Sequence, residues 1–196
     1  MIPADPIERF RNVYALAEKI DSAIIPEPNA MALATVEEGV QPAVRIVLLK
    51  SFDERGFVFY TNHEGRKGKH LLAHPRAALC FYWPPLQIQV RIEGTVTKVA
   101  DEEADAYFAS RQRPSQIGAW ASRQSERLET PTALDDRVAK YEKEFTGRSV
   151  PRPDFWSGFR VRPDRIEFWK GRPNRLHERH LYTRVDKGWK IETLYP

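Results

Sequence analysis

Cysteine is nearly absent. Cys80 stands alone, so no intrachain disulfide and no cysteine-built metal site can form. Long apolar runs are missing too: none approaches the roughly 18 residues that a membrane-spanning helix needs. The opening Met1-Ile2-Pro3-Ala4-Asp5-Pro6 lacks the basic stretch and apolar core of a secretory signal. A cytoplasmic protein without membrane contact is therefore expected. No internal repeat, G-x-G-x-x-G fingerprint, phosphate loop of the G-x-x-x-x-G-K-[ST] type or Ser-His-Asp motif is visible. Charge of one sign is not gathered into a tract. The net +4 is spread among acidic residues, which argues against a nucleic-acid partner and leaves phosphate-bearing small molecules open.

What is present suits one domain, 1–196, with a real core: 41% of residues are hydrophobic and 30% charged. Asp5 is placed to cap a first helix over 6–20, with Phe10, Val13, Leu16, Ala17 and Ile20 as its apolar stripe. Strand-like runs follow at 31–36, 43–49 and 57–61, separated by turns at Glu37-Glu38-Gly39 and Asp53-Glu54-Arg55-Gly56. A short helix after Gly65 must end near His74-Pro75. Strands at 77–83 and 86–99 flank Pro84-Pro85, and the second alternates, with Ile88, Val90 and Ile92 opposite Gln87, Gln89, Arg91 and Glu93. Helices are expected over 101–111, 115–123 and 132–145. Antiparallel strands fill 155–194, with a hairpin at Asp186-Lys187-Gly188. The fold class is α+β and mainly β: an antiparallel, Greek-key-like barrel with peripheral helices.

Four clusters bear on chemistry. In Gly65-Arg66-Lys67-Gly68-Lys69, cations open a helix where the macrodipole favours anions. This reads either as a solvated basic turn or as a site where a phosphate supplies the missing charge. Tyr107 and Arg111 are four apart on one helix face, and Ser115 opens the next helix. They are either core, surface and cap residues or a converging phosphate site. On a strand, Arg175, His177 and Arg179 would share a face, as an edge strand that discourages aggregation or around an acceptor. The run Arg45, Ile46, Val47, Leu48, Leu49, Lys50 is a buried strand with charged ends, and its two cations fall on opposite faces of an ideal strand. Weaker signals are Trp169, either core or a ring contact, and Cys80, expected to be inert core. His70 and His74 at i, i+4 lack an evident third ligand, so no metal is expected.

The clusters occur in an order that resembles the pyridoxamine/pyridoxine 5′-phosphate oxidase family. The motifs are RIVLLK at 45–50, FYTN at 59–62, SQIGAWASRQS at 115–125, EFW at 167–169 and RLHER at 175–179, within a likeness spanning nearly the whole chain. The resemblance implies an FMN-binding split β-barrel homodimer with two FMN molecules at the subunit interface. The segment 1–25 is then an N-terminal helix region, and 155–196 supplies dimerisation and active-site strands. FMN contacts are implied for Arg45, Ile46, Val47, Leu48, Leu49, Lys50, Tyr60, Thr61, Arg66, Lys67, Gln89, Gln124, Ser125, Trp169 and Arg179. The substrate phosphate falls to Lys50, Tyr107, Arg111 and Ser115, and the pyridine ring to Arg175, Leu176 and His177, with Arg175 and His177 as the catalytic pair. The implied reaction takes pyridoxine or pyridoxamine 5′-phosphate to pyridoxal 5′-phosphate, with hydride leaving C4′ for the flavin and dioxygen reduced to hydrogen peroxide. Some members close a longer N-terminal arm over the substrate. This sequence begins downstream of that arm, which leaves closure over the substrate an open question. Rival readings are a phenazine-type flavin oxidase, which would not need the second phosphate cluster, and a non-catalytic carrier of FMN or pyridoxal phosphate.

Overall fold

The computed structural model describes residues 2–37 and 40–196; Met1, and Glu38 and Gly39 of the expected first turn, lie outside the described residues. Asp5 accepts a hydrogen bond from the Ile7 amide at 2.8 Å and opens α1 (Pro6–Glu18). Ile7, Phe10 and Ala17 form its buried face. Leu16 is 49% exposed, against expectation. It lies about 120° round the helix from Phe10 and so turns away from the core.

Among the described residues, nine strands form one antiparallel sheet: β1 (Ala30–Val36), β2 (Pro42–Leu48), β3 (Ser51–Asp53), β4 (Gly56–Asn62), β5 (Arg76–Trp83), β6 (Ile88–Lys98), β7 (Trp156–Lys170), β8 (Glu178–Val185) and β9 (Gly188–Thr193). Four more helices, α2 (Arg66–Ala73), α3 (Asp101–Ser110), α4 (Arg113–Ala121) and α5 (Ala133–Glu144), are inserted between strands. This is the mainly-β, α+β architecture expected. The strand at 86–99 begins later than expected, because Pro84–Leu86 closes a 3₁₀ turn first.

The main path runs β2-β1-β5-β6-β7-β4-β3. Its two outer strands, β2 and β3, are joined by Leu49 and Lys50 alone. A flat sheet would hold those strands about 29 Å apart, and the connection reaches only about 11 Å. The sheet must therefore curl until its ends approach, and Lys50 sits at the seam, its amide bonded to the Val58 carbonyl at 2.9 Å.

β7 carries the split. One edge pairs with β6 from Phe159 to Lys170; the other pairs first with β4 (Trp156 to Val161) and then with β8 (Arg165 to Lys170). The change of partner coincides with a bulge opposite Glu93 and Gly94, beside Pro163, which has no N–H to donate. Gly94 is needed there: a Cβ on it would lie 2.0 Å from the Arg162 carbonyl oxygen.

Phe10 of α1 plugs the curled sheet, packing on Phe52, Phe57, Phe81 and Trp83 at centroid distances of 4.8 to 6.3 Å. A second cluster, with Phe108, Ile117, Phe145 and Trp156, joins α3, α4 and α5 to the start of β7. Cys80 is only half-buried, a partial departure from inert core. Among the described residues no helix is long and apolar enough to cross a membrane.

Truncating the plug tests this account. Phe10→Ala is expected to destabilise the fold by about 3–5 kcal/mol, read from urea melts followed by tryptophan fluorescence.

Candidate active site

The seam opens into a cavity of about 660 Å³. Ile46, Val47, Leu48 and Lys50 line it from β2 and the joint, Tyr60, Thr61 and Asn62 from β4, and Lys67 from α2. Tyr107 of α3, Arg111 and Gln112 just beyond that helix, and Ser115, Gly118, Ala119, Ser122, Gln124 and Trp156 complete the wall. Among the described residues, three cations and no carboxylate line this space. A second cavity of about 630 Å³ shares Lys67 and adds Arg45, Arg66 and Ser125, again without a lining carboxylate among the described residues. The two cations that bracket the 45–50 run thus face neighbouring spaces, because Lys50 lies past the end of β2.

Electrostatics sharpen the picture. Burial, then the nearby Arg66, pulls the Arg45 pKa below its usual value; burial and Arg45 do the same to Lys67. Burial likewise lowers Arg111. Each shift marks a cation that an added anion would relieve. Arg111 lies over the Trp156 ring at 4.7 Å, and its Nη1 is buried with no hydrogen-bond partner among the described residues. Such an orphaned donor is costly unless a ligand accepts from it. Tyr60, Tyr107 and Trp156 form a ring stack, with Tyr60 and Tyr107 at 3.9 Å. Burial, with Glu103 and Tyr107, pushes the Tyr60 phenol up to about 12, so it stays protonated.

The loop after α4 docks onto the start of α2. Lys67 Nζ donates to Gln124 Oε1 at 2.6 Å and to Thr61 Oγ1 at 3.2 Å, and the Arg66 amide donates to Ser125 Oγ at 3.3 Å. Ser125 holds a left-handed φ of 74° to make that contact. Ser115 does not open its helix as expected. α4 starts at Arg113, with Pro114 in its first turn, and Ser115 lies inside that turn, facing the cavity.

The remaining expected residues fall elsewhere. Gln89, Trp169 and Arg179 are cross-strand neighbours on β6, β7 and β8. Arg175, Leu176 and His177 are not on a strand, against expectation. Pro173–Arg175 is a 3₁₀ turn in which Asn174 and Arg175 both take positive φ, and β8 starts only at Glu178. His177 rests on Trp169 at 4.5 Å and accepts the Arg172 amide at Nδ1, which leaves the ring proton on Nε2. None of these six residues lines the seam cavity. One chain thus presents two separate groups of the expected residues.

The sequence reading missed Trp156, the floor of the ring stack, and Glu167. Arg179 donates to both Glu167 oxygens at 2.8 and 3.1 Å, and Arg91 pairs with the same carboxylate. Alternation along 86–99 put Arg91 on the polar face but gave no hint of this partner.

Residues 16–145 match the family described as pyridoxamine 5′-phosphate oxidase, and 156–196 match the pyridoxine 5′-phosphate oxidase C-terminal dimerisation region. A pyridoxine/pyridoxamine 5′-phosphate oxidase of Myxococcus xanthus is 59% identical over 196 residues, covering 100% of this chain and 94% of the relative. One from Rubrobacter xylanophilus is 56% identical over 192 residues, covering 98% and 87%. PhzG from Burkholderia lata, solved with tetrahydrophenazine-1-carboxylic acid, superposes with a TM-score of 0.89 at 30% identity, over 99% of this chain and 94% of that one. A pyridoxamine 5′-phosphate oxidase-related, FMN-binding protein from Nostoc punctiforme shares the fold, with a TM-score of 0.73 at 19% identity over 95% and 97%.

Burial alone would raise the Glu167 carboxyl, but the hydrogen bonds from Arg179 and Arg91 outweigh it and hold the pKa below the ordinary 4.5. A depressed folded-state pKa contributes stability above about pH 4.5 that fades as pH falls through the folded value. Glu167→Gln is therefore expected to cost about 1–3 kcal/mol near pH 7. The gap to wild type should narrow near pH 3 in paired urea melts.

Proposed function

Because this chain belongs to the pyridoxamine 5′-phosphate oxidase family, we propose that it is a cytoplasmic FMN-dependent enzyme that oxidises pyridoxine or pyridoxamine 5′-phosphate to pyridoxal 5′-phosphate. The observation that carries the reading is a pair of adjoining cavities walled, among the described residues, by five cations and no carboxylate, with a buried arginine nitrogen that has no partner among those residues in one of them. That donor set fits two phosphoryl groups.

Arg45, Arg66, Lys67 and Ser125 would hold the FMN phosphate, and Tyr60, Thr61 and Gln124 would border the flavin. Lys50, Tyr107, Arg111 and Ser115 would hold the substrate phosphate: an ammonium, a phenol, a guanidinium and a hydroxyl, all able to donate to tetrahedral oxygens. FMN, when bound, supplies the two-electron acceptor, regenerated by dioxygen with release of hydrogen peroxide. The chain's own part is to fix both anions, so that the substrate's reacting carbon is held at short range and in one orientation. The ring stack walls one side of the space from water.

Gln89, Trp169, Arg175, Leu176, His177 and Arg179 lie outside the cavity of their own chain. In the proposed homodimer they complete the site of the other copy. Three features support this: the match to a dimerisation region over 156–196, the 67% exposed Leu176 beside Arg175, and Val44 and Ile46, 70% and 65% exposed on edge strand β2. Arg175 and His177 then orient the ring of the substrate.

The purified protein is expected to be yellow and to release FMN on denaturation. Lys67→Ala is expected to weaken FMN binding roughly ten-fold and to reduce its salt dependence, measured by titration at two ionic strengths. A turnover assay on both phosphorylated substrates, with unphosphorylated pyridoxine and a carboxylated tricyclic ring as controls, separates this reading from a phenazine-type oxidase; no aldehyde product sinks it. Bleaching of the flavin band on anaerobic mixing with substrate separates it from a carrier. Co-expression of Arg111→Ala with Arg175→Ala tests the shared site. Each variant alone should be nearly inactive, and the mixed dimer should regain activity through one intact site; no recovery would place the whole site within one chain.

A further inference from the structure

Two buried polar side chains stand behind the second cavity. Thr35 on β1 is 2% exposed and His70 on α2 is 5% exposed. The i, i+4 histidines of this helix part company: His70 turns inward, and His74 ends α2 at the surface.

Arg45 Nη1 donates to Thr35 Oγ1 at 2.7 Å and to the Leu33 carbonyl at 3.0 Å. A guanidinium has only donors, so Thr35 must accept here, and its own hydrogen is free to donate to His70 Nδ1 at 3.0 Å. That assignment puts the imidazole proton on Nε2, which faces Glu37 Oε1 at 3.7 Å. The other Glu37 oxygen accepts from Arg66 Nη2 at 2.7 Å. A line of polar contacts thus runs from Arg45 to Arg66 behind the space that both line.

The acceptors that hold Arg45 are neutral. Among the described residues no carboxylate pairs with it, and its Nε and Nη2 carry no hydrogen bond. A carboxylate in the place of Thr35 would hold the guanidinium as well but would cancel its charge and compete with an incoming anion. A hydroxyl backed by an imidazole fixes the direction of the group and leaves its charge available. The hydroxyl also satisfies His70 Nδ1, which would otherwise be a buried acceptor without a partner.

We propose that Thr35 and His70 are positioning residues for the cofactor's phosphate: they aim the Arg45 guanidinium into the second cavity while leaving its charge uncompensated. This rests on the reading that the FMN phosphate occupies that cavity. Neither residue touches the ligand; both act through Arg45.

The full-length chain, freed of flavin, is titrated with FMN and separately with riboflavin, which lacks the phosphate, by quenching of flavin fluorescence. Thr35→Val keeps the shape and removes the hydroxyl. It is expected to weaken FMN binding roughly ten-fold and to leave riboflavin binding unchanged. Thr35→Ser restores the hydroxyl and is expected to bind FMN as wild type does. His70→Phe keeps the ring volume without the nitrogens; it is expected to shift FMN binding alone, and it carries the same comparison if Thr35→Val fails to fold. An unchanged FMN affinity in Thr35→Val, an equal loss for both flavins, or no rescue by Thr35→Ser would overturn the proposal. Wild type that binds no FMN would instead take down the cofactor reading, and this proposal with it.

Discussion

Two residues join the outermost strands of a seven-strand path, and nearly everything else follows from how short that joint is. Leu49 and Lys50 cannot span a flat sheet, so the sheet curls, and β2 comes to lie beside β4. Curling produces the concave interior that Phe10 fills from one end. It also creates the seam at which Lys50, Tyr60, Thr61 and Lys67 meet although sequence separates them. A longer connection would relax the curl and let the cavity walls part.

Around that seam the fold gathers positive charge and withholds the obvious remedy. Acidic side chains are plentiful in the chain, yet they pair with arginines elsewhere: Asp53 and Glu103 with Arg160, Asp101 and Asp105 with Arg152, Glu167 with Arg91 and Arg179. Those pairs brace strands and helices. Of the cavity cations, Arg45 and Lys67 are held instead by amide, hydroxyl and carbonyl oxygens, Arg66 pairs with Glu37, and Arg111 keeps a buried nitrogen without a partner among the described residues. Neutral acceptors cost the apo fold some repulsion and leave attraction for a ligand to claim. The depressed pKa values of Arg45, Lys67 and Arg111 are the trace of that arrangement.

Much of this was legible in the sequence where local chemistry decides. Asp5 before Pro6 marks a helix start, alternation fixed the faces of β6, and Gly65 before Arg66 placed the start of α2. Legibility failed where tertiary geometry overrides spacing. A period-two reading put Arg175, His177 and Arg179 on one strand face, but Pro173 and the positive φ angles of Asn174 and Arg175 break the strand before it starts. Ser115 resembled a cap because Pro114 hides the true first turn. Trp156 carried no signal, since its role depends on rings from β4 and α3 that only the fold stacks against it. The order of the motifs identified the family, while the separation of Arg175 and His177 from the seam could be read only from coordinates.

β7 has one further implication. Trp156 at its start belongs to the cavity of its own chain, and Trp169 near its end belongs to the group that does not line that cavity. In a two-fold pair built as proposed, the same ribbon would run from one reaction centre to the other. Thirteen residue steps of extended chain put those two tryptophans no more than about 44 Å apart. The strand is then a ruler set by covalent geometry, and lengthening or shortening it would move both centres at once.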